Sequence, residues 1–180
     1  MKNYFITATD TDAGKTFVAC ALTQALINNG KKVSAYKPIA AGCELVDKVL
    51  INEDAELLAN FANCKQSIRE INPIALAEPI APHVAAERIN RDISVEEIEQ
   101  GFIHVLSFEA DINLTEGAGG WRLPLNVNKT KPTFLSDFAI TTKQDVILVV
   151  NMKLGCLNHA LLTYQAIIAD GLNCVAWVAN

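Results

Sequence analysis

The 180-residue sequence predicts an α/β fold, a mainly parallel sheet flanked by helices. Two observations predict it. Short apolar runs alternate with helical patterns along the whole chain, and the first run passes through a loop ending Gly14-Lys15-Thr16 straight into a helical pattern. Half of the residues (51%) are hydrophobic, enough for one well-buried core and too few residues for two. The expectation is therefore a single domain spanning 1–180.

The strands are expected at 4–8, 32–36, 111–115, 146–150 and 174–179, each a short run rich in apolar residues. The first helix is expected over 17–29, with Val18, Leu22, Ala25 and Leu26 on one face and Gly30 as its C-terminal cap. A second helix starts around Asn52-Glu53-Asp54. A third starts near Ser94, where Ser94 and Glu97 have the spacing of a capping box. The last runs from about 158 to 170 and is followed by Gly171. Between the second and third helices, Asn72-Pro73 to Pro82-His83 reads as an ordered loop crossing the top of the sheet.

The loop Ala8-Thr9-Asp10-Thr11-Asp12-Ala13-Gly14-Lys15-Thr16 has the chemistry of a phosphate cradle, with Thr9 where the usual pattern has glycine. Backbone N–H groups, a positive helix N-terminus and a lysine converge there, and Thr16 offers a hydroxyl to Mg2+. Further polar residues fall where strands end on the same side. Lys37, fixed by Pro38, is either a solvated strand end or a second cation for the γ-phosphate. Asp54 is either a helix-dipole partner or a Mg2+ ligand. Glu116 supplies a second carboxylate, followed by Gly117-Ala118-Gly119-Gly120, which lets backbone approach a ligand. The segment Leu154-Gly155-Cys156-Leu157-Asn158-His159-Ala160 is either a second anion site at a helix N-terminus or an Asn-capped helix with Cys156 as a small buried group.

The net charge of -5 is spread without a basic block, which argues against nucleic acid and requires any phosphate to be held locally. Five cysteines, odd in number and without C-x-x-C spacing, suit a reducing cytoplasm. No apolar run reaches membrane-spanning length, and no cleavable signal precedes the first strand, so a cytoplasmic location is expected.

Five motifs in order, Asp10-Thr11-Asp12-Ala13-Gly14-Lys15-Thr16, Tyr36-Lys37-Pro38, Ala77-Glu78-Pro79 with Pro82-His83, Glu116-Gly117-Ala118-Gly119-Gly120-Trp121 and Lys153-Leu154-Gly155-Cys156-Leu157-Asn158-His159-Ala160, resemble the dethiobiotin synthetase family from end to end. The resemblance implies a P-loop fold and an ATP- and Mg2+-dependent, homodimeric ligase of biotin biosynthesis acting on 7,8-diaminononanoate and CO2. It places Lys15 and the amides of Asp12, Ala13, Gly14, Thr16 and Phe17 on the ATP phosphates, with Thr11 near the transferred group. Thr16, Asp54 and Glu116 would hold Mg2+, and Lys37 would steady the carbamate and the migrating phosphoryl group. Gly117, Ala118, Gly119 and Asn180 belong to the implied nucleotide site. Ala41 and the neighbouring subunit's helix start, Gly155, Cys156, Leu157 and Asn158, belong to the implied substrate site.

This sequence departs from the family at several places. Ala8 and Asn151 stand where the family has glycine, Asn113 needs a buried partner in a strand that is otherwise apolar, and Ala41 replaces a hydroxyl residue, losing about 1 kcal/mol of hydrogen bonding. The family continues past the residue matching Asn180, so the resemblance implies adenine-recognising residues and last sheet elements outside these 180 residues. Two other readings remain: a truncated or degenerate relative that binds phosphates without catalysis, and a partitioning-ATPase-like dimer switch. The switch class carries a loop lysine where this chain has Asp10.

Overall fold

The computed structural model describes residues 1–127 and 131–180. Its elements are β1 (Lys2–Ala8), α1 (Lys15–Asn28), β2 (Val33–Tyr36), β3 (Ile39–Ala41), β4 (Glu44–Val46), β5 (Val49–Ile51), α2 (Glu53–Phe61), α3 (Ile68–Ile71), β6 (Ile74–Leu76), α4 (Pro82–Arg88), α5 (Val95–Leu106), β7 (Ile112–Glu116), β8 (Pro124–Asn126), β9 (Thr133–Phe134), α6 (Leu135–Thr141), β10 (Asp145–Val150), α7 (Cys156–Ala169) and β11 (Cys174–Ala179). The five predicted strands form one sheet in the order β11-β10-β1-β7-β2, every pairing parallel. All their carboxyl ends therefore share one edge. The order reverses beside β1, so the loop leaving β1 opens into the crevice where ligands of such sheets bind.

Alternate residues along each strand feed two cores. Phe5, Tyr36 and Val146 pack with α5, α6 and Ile167 of α7 on one side; Ile6, Ala35, Leu114 and Val149 pack with α1 and α2 on the other. In α1 the buried residues are Lys15, Val18, Ala19, Cys20 and Thr23, while Ala25 is exposed, which rotates the expected apolar face by about one residue. Gly30 caps α1 at φ 74°, with Lys31 N donating to Leu26 O at 3.1 Å.

Several local expectations need correction. The segment from Asn72 to His83 is not loop throughout: β6 pairs parallel with β3, and α4 begins at Pro82. Ser94 accepts from Glu97 N, but the Glu97 carboxylate turns to Arg91 at 2.5 Å instead of closing the box. The cap of α7 is Gly155 at φ 93°, not Asn158, and Cys156 is half-exposed. A β4–β5 hairpin turns through Asp47 and Lys48, both at positive φ, without the glycine that usually announces such a turn.

Neither substitution at a family glycine strains the backbone. Ala8 is fully buried inside β1, and neither Ala8 nor Asn151 has positive φ. Asn113 finds the partners it needs: Ser34 Oγ donates to its Oδ1 at 2.5 Å, and its Nδ2 donates to Asn3 Oδ1 at 2.8 Å, which links β2, β7 and β1 through the sheet. Among the described residues no helix is long and apolar enough to cross a membrane, and all five cysteines are free thiols.

Asn113→Ala leaves the Ser34 hydroxyl unpaired at a fully buried position. It is expected to lower unfolding free energy by about 2 kcal/mol in urea titration, with Ser34→Ala in the same chain costing little more.

Candidate active site

β1 ends in a loop whose two left-handed residues, Asp12 at φ 55° and Gly14 at φ 85°, wrap the backbone around Ala13 and deliver it to the N-terminus of α1. Gly14 is needed twice over. A Cβ there would lie 2.2 Å from Nδ2 of Asn180, which itself donates to Ala13 O at 3.0 Å. Asn180 is thus seated on the phosphate loop by the parallel pairing of β11 with β10.

Lys37 follows β2 and is pinned by its neighbours. Tyr36 is fully buried and its hydroxyl donates to Ile98 O at 2.7 Å. A Cβ on Gly101 would meet that hydroxyl at 2.3 Å, so the glycine inside α5 makes room for the tyrosine. Lys37 N donates to Ile71 O at 2.8 Å, and Asn72 Nδ2 donates to Lys37 O at 2.7 Å. These contacts aim the ammonium at the sheet edge, where it lies 2.6 Å from Glu116 Oε1 and 2.9 Å from Asp54 Oδ2. Thr16 Oγ1 donates to the same Glu116 oxygen at 2.8 Å. The four residues, drawn from β2, α2, β7 and α1, therefore meet as the sequence predicts.

The electrostatics follow from this packing. Burial alone would push the Lys37 pKa down, but Glu116 and Asp54 more than reverse that and hold it above the ordinary lysine value. Asp54 is disfavoured by burial, yet Lys37, Thr16 and Lys15 hold its carboxyl below the usual range. Lys15 shifts the other way, lowered by burial and by the nearby Lys37. Its Nζ reaches back to Asp10 O at 3.5 Å. Cys20, packed below, has its thiol pushed up to about 11 by burial and the two carboxylates, which makes it unreactive near neutrality.

Glu116 Oε2 is buried and has no hydrogen-bond partner, although Oε1 takes two donors. That orphaned oxygen, the Thr16 hydroxyl and Asp54 form an all-oxygen donor set that fits a hard cation. Among the described residues no group of three or more His, Cys, Asp or Glu gathers.

A cavity of about 890 Å³ opens over these residues. Its polar floor includes Thr11, Asp12, Gly14, Lys15, Thr16, Lys37, Asp54 and Glu116, with Ala118 and Gly119 at one side. Its opposite wall is apolar, built from Ile39, Ala40, Ala41, Pro79 and Ile80. Ala41 lies there as expected for the substrate site, whereas the rest of this wall is not announced by the residues of β3 itself. Its signal was the Pro79 to Pro82 run, which the β3–β6 pairing and the start of α4 carry to the cavity rim.

Other predicted residues stand outside the cavity. Ala13 is buried beneath the loop, Gly117 packs on Phe5, and the Phe17 side chain is 71% exposed. Gly155, Cys156, Leu157 and Asn158 do not line it. The residues just before them join the phosphate loop through the ion pair of Lys153 with Asp10 at 2.9 Å and through Met152 N, which donates to Asn180 O at 2.9 Å.

The family model described as AAA domain matches residues 2–180. The protein of Alteromonas mediterranea named ATP-dependent dethiobiotin synthetase BioD is 51% identical over 186 residues, covering 100% of this chain and 80% of its own. This chain belongs to the dethiobiotin synthetase family. The synthetase of the same name from Pseudoalteromonas translucida is 44% identical over 180 residues, covering 100% of this chain and 78% of its own. The MinC:MinD cell division complex of Aquifex aeolicus shares the synthetase fold at 14% identity, with a TM-score of 0.54 over 98% of this chain and 66% of that one.

Replacing Lys37 tests the ion cluster independently of catalysis. Lys37→Met strands the Glu116 carboxylate, which is 1% exposed, and is expected to cost about 3–5 kcal/mol near neutral pH. In the native chain the depressed Asp54 pKa contributes stability that is fully present above its ordinary value of 3.8 and is lost on further acidification. Lys37→Met removes the main cause of that depression, so the fall in unfolding free energy between pH 5 and pH 3 should be smaller in the variant. Urea unfolding at both pH values measures the difference.

Proposed function

We propose that this chain is an ATP- and Mg2+-dependent cyclo-ligase that closes the ureido ring of dethiobiotin from 7,8-diaminononanoate and CO2, acting as one P-loop ATP-binding domain in the cytoplasm. The observation that carries the proposal is the Lys37 ammonium held between two carboxylates beside a phosphate loop, at the floor of a cavity whose far wall is apolar. The names of the relatives point to the same reaction.

The reaction asks for charge control rather than a covalent intermediate. One amine takes up CO2 and loses a proton, giving a carbamate. A carbamate oxygen attacks the γ-phosphorus, ADP leaves, and a carbamic-phosphoric anhydride remains; the second amine attacks its carbonyl carbon and expels phosphate. Lys15 and the amides of the Asp12 to Phe17 run receive the phosphates, and Thr11 lies where the transferred group passes. Lys37 offers its positive charge to the carbamate and the migrating phosphoryl group. Thr16, Asp54 and Glu116 are the chain's ligands for Mg2+, which when bound neutralises charge on the phosphate oxygens. The wall of Ile39, Ala40, Ala41, Pro79 and Ile80 suits the substrate's methylene chain, and Ala41 gives it no hydroxyl. Asn180, which donates to Ala13 O, is assigned here to the base.

We also propose a homodimer. Leu157, Leu161, Tyr164 and Ile168 recur at helical spacing on α7, and each is at least 46% exposed; beside them Leu154, Val175 and Trp177 are also exposed. A second subunit covering this face would bring Gly155, Cys156, Leu157 and Asn158 of one chain to the substrate carboxylate at the other's cavity. The switch reading is disfavoured by Asp10, which is occupied with Lys153 and supplies no cation across an interface.

Pure protein given diaminononanoate, bicarbonate, ATP and Mg2+ should form dethiobiotin with one phosphate per ring closed, measured by mass spectrometry and phosphate release. Lys37→Gln is expected to lower kcat at least about 100-fold while the protein still binds ATP. Absence of product at high enzyme concentration would refute the assignment of activity. Separately, Leu161→Glu should shift sedimentation from dimer to monomer; an unchanged coefficient would move the interface elsewhere.

A further inference from the structure

Trp121 and Arg122, the residues that leave the glycine turn after Glu116, both donate to a single carboxylate. Trp121 Nε1 reaches Asp170 Oδ2 at 2.8 Å, and Arg122 Nη2 reaches Asp170 Oδ1 at 2.7 Å. Each Asp170 oxygen thus has one donor, and the side chain is 13% exposed. Trp121 is buried and stands edge-on to Phe5 of β1, their ring centroids 5.9 Å apart. Arg122 is fixed further by Ser136 Oγ at 3.2 Å and by the Phe134 ring.

Asp170 is placed against the preference of its own helix. It caps the C-terminus of α7, where the dipole is negative and a carboxylate is unfavourable. The helix ends well without it, since Gly171 at φ 78° supplies the left-handed turn and Leu172 N closes on Ile167 O at 3.3 Å. What the carboxylate does is hold the far end of the turn. The near end is fixed by β7, where Gly117 N donates to Ile6 O at 2.9 Å. Between these anchors, Gly119 at φ 58° and Gly120 pass close to Thr11 and Ala8 of the phosphate loop.

We infer that Asp170 is a positioning residue for the nucleotide side of the site: through Trp121 and Arg122 it sets the run from Glu116 to Gly120 against the phosphate loop. The inference rests on the proposed reading of that loop and Glu116 as the ATP site. Asp170 acts on ATP through the turn and touches no substrate.

Asp170→Ala and Asp170→Asn are compared with Ser94→Ala, which removes the α5 cap away from the cavity and so controls for lost stability alone. Asp170→Ala should raise KM for MgATP about five- to tenfold, with KM for the diamine within about twofold. Asp170→Asn, which keeps one acceptor for the indole and the shape of the side chain, should fall between. Calorimetry with Mg2+ and a non-hydrolysable ATP analogue should give the same ranking of affinities without turnover. Wild-type analogue affinity in both Asp170 variants would overturn the inference, as would an equal loss in Ser94→Ala. A wild-type protein that binds no analogue at all would overturn the ATP reading itself, a distinct result.

Discussion

The Lys37 ammonium is the interaction on which the site depends. It is 5% exposed on its side chain, so it persists in charged form only because Glu116 and Asp54 lie within 2.9 Å. The requirement runs in both directions. Glu116 ends the buried strand β7 and Asp54 opens α2, and without a cation between them two carboxylates would face each other at the sheet edge. A single buried charge therefore fixes the relative position of β2, β7 and α2, while Thr16, on the Glu116 oxygen, adds α1.

The rest of the fold supports that cluster from below. Tyr36 is held in the core by Ile98 and by the space that Gly101 leaves, and Asn72 and Ile71 take both backbone groups of Lys37. A glycine inside α5 costs about 1 kcal/mol of helix stability relative to alanine. Its position is explained by Tyr36, so part of the stability of α5 is given up to seat the neighbour of the central cation. Charge balance is local as well: in a chain of net charge -5, Lys15 and Lys37 meet Asp54 and Glu116 at one cavity.

What could be read from sequence was whatever rests on local rules. The five parallel strands show as short runs rich in apolar residues because most of β1, β2, β7 and β10 is buried, and Gly30 and Gly171 mark helix ends because each adopts positive φ. Lys37 and Glu116 were recognisable because parallel strands bring their carboxyl ends to one edge, and Asp54 because it sits in the first turn of a marked helix. The features that escaped depend on partners distant in sequence. β3 and β6 have three residues each and exist by pairing with one another, Gly101 answers a tyrosine 65 positions earlier, and Asp170 meets Trp121 across the fold. The turn at Asp47 and Lys48 escaped for the opposite reason, since Asp47 is followed by a lysine where glycine would be the signal.

The irregular start of the phosphate loop has a structural explanation. Glycine is required in such a loop where φ is positive or where another group crowds the Cα, and here those demands fall on Gly14, with Asp12 taking the other left-handed position. Ala8 is the last residue of β1, and Thr9, just past it, still donates its N–H to Val149 O at 3.0 Å, as the sheet ladder does. A β-branched residue is well suited there. The strain is concentrated at Asp12 and Gly14, on either side of Ala13, whose carbonyl is drawn aside by Asn180. One side chain at the end of β11 is thereby tied to the loop that leaves β1, so the sheet edge and the first turn of that loop form one hydrogen-bonded unit.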